Sequence, residues 1–154
     1  MKFTSIFEQT KICLATHVEE IRSCYRVMQQ LRPHFTDEER FVEQVLRQMK
    51  EGFQLAFFQE ESEVRAVVGF RFLEFLAWGK VLYVDDLITD RAFRKKGCGS
   101  ALLQWLIAEA KKKQCDQVHL DSGPQRHEGH RLYLNCGFKI IGYHFALEVQ
   151  NENE

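Results

Sequence analysis

Proline is nearly absent from this 154-residue chain, which holds only Pro33 and Pro124, and no repeat, low-complexity tract or Pro/Gly/Ser-rich linker interrupts it. A chain of this length without a linker reads as one domain over residues 1–154. No stretch approaches the roughly 18 apolar residues of a membrane span. The first residues, MKFTSIFEQTKICLATH, lack the unbroken apolar core of a secretory signal. Five cysteines are scattered without a C-x-x-C pair, which argues against a disulfide scaffold and a zinc ribbon. A formal net charge of -1 provides no general attraction to nucleic acid or anionic lipid. These absences point to a reducing, cytoplasmic setting without nucleic-acid or membrane partners.

What is present is apolar material, 45% of the residues with 13 Phe, enough to fill a core of this size. A first strand is expected within residues 3 to 14. Thr16-His17-Val18-Glu19 has the form of a capping box, followed by Val18, Ile21, Tyr25 and Met28 at helical spacing, so a helix should run to about Leu31, before Pro33. Thr36-Asp37-Glu38-Glu39 opens a second helix, with Phe41, Val45, Leu46 and Met49 on one face and Gly52 as its stop. Phe53 to Gln59, Val64 to Trp78 and Lys80 to Thr89 read as three consecutive antiparallel strands, parted by Glu60-Glu61-Ser62-Glu63 and Gly79. A long helix from about Gly97 to Lys113 should bury Leu102, Leu103, Leu106, Ile107 and Ala110. A short strand at Gln117 to Leu120, a short helix from His127 to Cys136 and a last strand from Phe138 to Val149 complete the order.

The junction Arg94-Lys95-Lys96-Gly97-Cys98-Gly99-Ser100 lies between a strand and a helix. A helix N-terminus leaves backbone N–H groups unpaired at the positive end of the dipole, and glycine lets an anion come close to them. The spacing fits neither G-x-x-x-x-G-K-S/T nor G-x-G-x-x-G. A phosphate-bearing ligand is therefore expected, held by a loop that differs from both.

Arg94-x-x-Gly97-x-Gly99 resembles the Q/R-x-x-G-x-G/A signature of the GNAT superfamily of acyl-CoA-dependent N-acetyltransferases. Leu132-Tyr133-Leu134-Asn135-Cys136-Gly137-Phe138 is similar to its second signature, L/F-Y-x-x-x-G-F. The element order agrees from end to end. The resemblance implies a GNAT fold: an α/β domain with a mixed, mostly antiparallel sheet of about six to seven strands and about four helices. It implies acetyl-CoA as cosubstrate, with Arg94, Lys95, Lys96, Gly97, Cys98, Gly99 and Ser100 at the pyrophosphate and Leu87, Ile88 and Thr89 along the pantetheine arm. The Ile88 amide would face the thioester carbonyl. Tyr133 falls where the family keeps a general acid for the departing thiolate. Arg126-His127-Glu128-Gly129-His130-Arg131-Leu132-Tyr133 is also similar to a run in aminoalkylphosphonate N-acetyltransferases and related small proteins, with Gly129 departing from that pattern.

The chemistry needs a proton acceptor, because an amine is mostly protonated near pH 7. Asp85, Asp86 and His127 are the candidates. Neighbours in a strand face opposite sides, so one aspartate should point at the acceptor; period two favours Asp86 with Ile88, and a bulge would favour Asp85. His127 and His130 lie one helical turn apart with Tyr133 a turn further. Two histidines without a clear third ligand fall short of a metal set, and none is assigned. Arg32-Pro33-His34-Phe35 reads either as an acceptor rim or as a simple turn. The expectation is an N-acetyltransferase acting on a primary amine of a small molecule by direct attack in a ternary complex, as a monomer or a homodimer. A protein N-acetyltransferase and a non-catalytic acyl-CoA-binding domain are the alternatives.

Overall fold

In a computed structural model that describes residues 11–151, most of the local signals are built out into elements, though not always with the predicted boundary. Two compact units arise, one ending at Leu120 and the other beginning at Asp121. The first holds β1 (Ile12–Leu14), α1 (Val18–Ser23), α2 (Tyr25–Leu31), α3 (Glu38–Met49), β2 (Gln54–Glu60), β3 (Glu63–Phe75), β4 (Gly79–Thr89), a 3₁₀ turn (Arg91–Phe93), α4 (Cys98–Lys112) and β5 (Gln117–Leu120). The second holds α5 (His127–Asn135). The part of the expected first strand that precedes residue 11 lies outside the described residues.

The sheet runs β1-β2-β3-β4-β5, antiparallel except for the parallel β4–β5 pair. Glu61 and Ser62, at φ 53° and 60°, form the two-residue turn between β2 and β3, with both central residues left-handed as a tight hairpin requires. Strand alternation sends Leu55, Phe57, Val67 and Ile88 to one face, where they join Ile21, Val27, Met28, Phe41 and Val45 from α1 to α3. The opposite face carries Phe70, whose ring meets Trp105 of α4 edge-on at 5.8 Å. Leu102, Leu103, Leu106 and Ala110 of α4 are buried as predicted, whereas Ile107 is only half-buried.

Three expectations are corrected. The caps fall one residue later: Glu20, rather than Glu19, accepts from the backbone N–H groups of Thr16 and His17 at 3.1 and 3.2 Å, and Asp37, rather than Thr36, accepts from Glu39 N–H at 2.9 Å. The first helix divides at Cys24, whose N–H reaches back only three residues to the Ile21 carbonyl, so five helices stand among the described residues where about four were expected. The sheet has five strands among those residues, not six to seven, because the segment predicted as a strand from Phe138 to Val149 takes part in no strand pairing. Ile141, Tyr143, Phe145, Leu147 and Val149 alternate as a strand should, yet they are 65% to 92% exposed. Alternation is a local pattern, while a strand also needs a hydrogen-bonded neighbour.

Candidate active site

The site begins with an irregularity in β4. Gly69 pairs with Asp86 but the next residue, Phe70, pairs with Val84, so Asp85 is an extra residue bulged out of the ladder. The expectation that Asp85 and Asp86 face opposite sides therefore fails, and both line one cleft of about 430 Å³. Gly69 makes room for this. A Cβ there would lie 2.4 Å from Phe53 Cζ and 2.9 Å from Asp86 Oδ2, so only glycine lets the ring and the carboxylate lie side by side over the strand.

The two carboxylates have different surroundings. Arg71 grips Asp85 with both arms, Nε to Oδ1 at 3.0 Å and Nη2 to Oδ2 at 2.5 Å. Arg32 donates to Asp86 Oδ1 from Nε at 2.9 Å, while its Nη2 also reaches the Asp85 carbonyl at 3.2 Å. Burial pushes the Asp86 carboxyl above its usual value, and the Arg32 guanidinium only partly offsets that. Arg32, His34 and Phe35 belong to the cleft lining, so the α2–α3 connection is a rim of the cleft. Tyr25 Oη at 2.8 Å and Gln29 Nε2 at 3.1 Å both donate to the Phe35 carbonyl and hold that rim in place.

Beyond the bulge, the β4–β5 ladder stops at Val84–Leu120 while β3–β4 continues to Ala66–Thr89. From Asp85 to Thr89, which includes Leu87, Ile88 and Thr89, one edge of β4 has no strand beside it among the described residues. The chain then turns through Asp90, a charged residue only 2% exposed. Its carboxylate accepts from Arg26 Nη1 at 2.7 Å, Gln30 Nε2 at 3.1 Å and Ala92 N–H at 3.1 Å. Burial alone would raise the Asp90 carboxyl, but these donors outweigh it and hold it below the usual value. Arg91 N–H donates to Gln30 Oε1 at 3.0 Å, so α2 is bonded directly to the loop that follows.

That loop, Arg94 to Gly97, is exposed. Gly97 caps α4 at φ 85°, and no side chain caps the first turn, so the amides of Cys98, Gly99 and Ser100 at the positive end of the helix dipole have no side-chain acceptor. Arg94, Lys95 and Lys96 surround this helix start. The Cys98 side chain turns inward, buried, and desolvation raises its thiol pKa, so only its backbone can serve a ligand.

In the second unit, α5 carries His127, His130 and Tyr133. His130 Nε2 lies 2.8 Å from the Gly123 carbonyl, which gives this residue a structural role, and its ring is 6.2 Å from that of His127, an exposed residue. Tyr133 packs on Phe138 with ring centroids 6.0 Å apart, and burial raises its phenol, with Arg126 pulling slightly the other way. Sequence reasoning missed Arg71, Tyr83, Gly69 and Asp90. A glycine within a run of β-formers was the available sign of the bulge.

A mixed five-stranded sheet with a glycine-capped helix start beyond a strand with a partly open edge defines an α/β architecture. The family model for the acetyltransferase (GNAT) family matches residues 16–138, and the chain belongs to that family: it is an acyltransferase that uses acetyl-CoA. The chain is 32% identical over 135 residues to the uncharacterized N-acetyltransferase YhdJ of Bacillus subtilis (strain 168), covering 87% of this chain and 95% of that one. Its fold is similar to a transcriptional regulator from Bacillus halodurans C-125, with a TM-score of 0.78, 21% identity, and 90% and 98% of the two chains covered. It is likewise similar to AAC(6')-Iy in complex with the bisubstrate analog CoA-S-monomethyl-acetylneamine, with a TM-score of 0.73, 14% identity, and 91% and 97% covered. No helix among the described residues is long and apolar enough to cross a membrane.

Proposed function

We propose that this chain is a single cytoplasmic acetyltransferase domain that moves an acetyl group from acetyl-CoA to a primary amine of a small molecule, by direct attack in a ternary complex. The observation that carries this reading is the half-buried Asp86 carboxylate in a compact cleft, where β4 runs on beyond its ladder with β5. A volume of about 430 Å³ suits a small molecule. Acetyl-CoA supplies the acyl group and leaves as the thiol. Asp86 takes the amine proton as the new C–N bond forms and the C–S bond breaks. Asp85 is the poorer base because Arg71 occupies both of its oxygens. The Ile88 amide expected from the resemblance faces β3, as does that of Asp90 two residues on, which donates to the Arg65 carbonyl at 2.8 Å. The Leu87 amide, on the open side of β4, instead holds the thioester carbonyl oxygen as negative charge grows on it, and the Tyr133 phenol protonates the departing sulfur. His127, in the second unit, is the alternative base.

Leu87, Ile88 and Thr89 hold the pantetheine arm, and residues Arg94 to Ser100 hold the pyrophosphate. A thiol-release assay with acetyl-CoA and a panel of amines tests the reading. Amine-dependent release of free thiol is expected, and acetyl-CoA binding without turnover on any amine would sink it.

Asp90 connects the two halves of this site, since α2, which it bonds, also leads into the Arg32–Phe35 rim. Replacing it with Asn keeps the shape and removes the charge that orders Arg26 and the loop. Asp90→Asn is expected to weaken acetyl-CoA binding by roughly ten-fold, about 1.4 kcal/mol, read by calorimetry. Binding equal to the unaltered protein would dismiss this anchoring role. Because the folded Asp90 carboxyl lies below its usual value, its stabilising contribution is complete above that value and fades only as pH falls through the depressed one.

A further inference from the structure

We infer, building on the transferase reading above, that the acceptor is an aromatic monoamine: one primary ammonium group on a short linker to a flat apolar body, with no phosphate and no second cation. The argument rests on which groups in the cleft are already partnered. Asp85 has both oxygens on Arg71, and Asp86 has Oδ1 on Arg32. Asp86 Oδ2 carries no protein hydrogen bond among the described residues, so the cleft offers one open carboxylate oxygen and can welcome one ammonium group. A second cation would find no free carboxylate and would sit near Arg32. A phosphate would fare no better. Arg32 commits Nε and Nη2 to Asp86 and to the Asp85 carbonyl, and a dianion would lie beside two aspartates. The remaining polar lining consists of His34, Tyr83 and two amides, with Gln44 Nε2 bonded to Gln48 Oε1 at 3.0 Å.

The rest of the lining is suited to a ring. Phe35, Phe41, Phe53 and Tyr83 all contribute to the cleft. Phe35 meets Phe41 edge-on at 5.7 Å and 78°, with the His34 ring 4.5 Å from Phe35. Aromatic groups favour edge and offset contacts at such separations, so an entering ring extends an arrangement already in place. The two hydrogen bonds that pin the Phe35 carbonyl mean that little ordering is left for binding. Gly69 completes the match. It allows the Phe53 ring and the open Asp86 Oδ2 to lie side by side, which places an apolar wall next to the ammonium acceptor, as a short linker requires. The reaction balances: the ammonium nitrogen gives one proton to Asp86, the amine nitrogen bonds the acetyl carbon as the C–S bond breaks, and the second proton it sheds on becoming an amide replaces, through solvent, the one that Tyr133 gives the sulfur.

The test compares kcat/KM, by thiol release with the full chain and acetyl-CoA, for phenethylamine and tryptamine against spermidine, glucosamine 6-phosphate and a short peptide with a free N-terminus. The aromatic monoamines are expected to exceed each of the others by about ten-fold or more, equivalent to 1.4 kcal/mol. A preference for spermidine, the sugar phosphate or the peptide overturns the acceptor class while the transferase reading stands. Absence of thiol release with every amine, despite acetyl-CoA binding, overturns both. In addition, Phe35→Leu should lower the phenethylamine-to-butylamine ratio, and an unchanged ratio in the folded variant counts against the aromatic wall. Should that variant fail to fold, the panel on the unaltered protein still decides.

Discussion

Asp86→Asn is expected to lower turnover by roughly 10² to 10⁴, the usual contribution of a positioned general base, while acetyl-CoA binding stays close to that of the unaltered protein. Asparagine can still accept the Arg32 hydrogen bond through its carbonyl oxygen, so the cleft keeps its shape and loses only the ability to take a proton. The pH profile separates this role from a structural one. As a base Asp86 must be ionised, so turnover rises as pH increases through its pKa. Burial, the larger influence, moves that limb above the ordinary carboxylate value of 3.8. Arg32 opposes the shift, so Arg32→Gln should move the limb to still higher pH. Rates of Asp86→Asn measured across pH should show no such limb. If the limb persists or turnover is unchanged, the base is Asp85 or His127.

Tyr133→Phe is expected to reduce turnover on the order of 10²-fold and to leave acetyl-CoA affinity nearly unaltered. The ring that packs on Phe138 is retained, and only the hydroxyl is removed. Because burial raises the phenol above its ordinary value of 10.0, Tyr133 stays protonated and able to donate across the physiological range. The unaltered enzyme should therefore lose activity from this group only at pH above 10. Pre-steady-state rates with acetyl-CoA and phenethylamine, beside calorimetric binding, check both parts. Equal rates in the variant would remove Tyr133 from the role of acid.

Much of the fold was legible because its signals are local. Gln117 to Leu120 matches β5, and the predicted Gly97 to Lys113 helix differs from α4 by one residue at each end. The capping signals at Thr16 and Thr36 marked the right helix starts but the wrong capping residues, since several adjacent polar groups can satisfy the same amides. The break at Cys24 was not legible: no proline or glycine marks it, and only the backbone bond from Cys24 N–H to the Ile21 carbonyl shows it. The aspartate pair was half legible. Two carboxylates in an apolar strand flagged a site, yet alternation assigned them to opposite faces, and only the β3–β4 register brings both to one cleft.

By itself the sequence determined what short-range chemistry determines: helical and strand periodicity, the glycine-marked start of α4, and the two signatures of an acetyltransferase. Each depends on residues close enough along the chain to influence one another directly. Tertiary structure alone decided which carboxylate is free. That outcome follows from Arg32 and Arg71, which lie 54 and 14 residues from the aspartates they bond. It also decided that residues 138–150 join no strand, because a ladder needs a second strand whose edge is available, and no pattern within one segment encodes that.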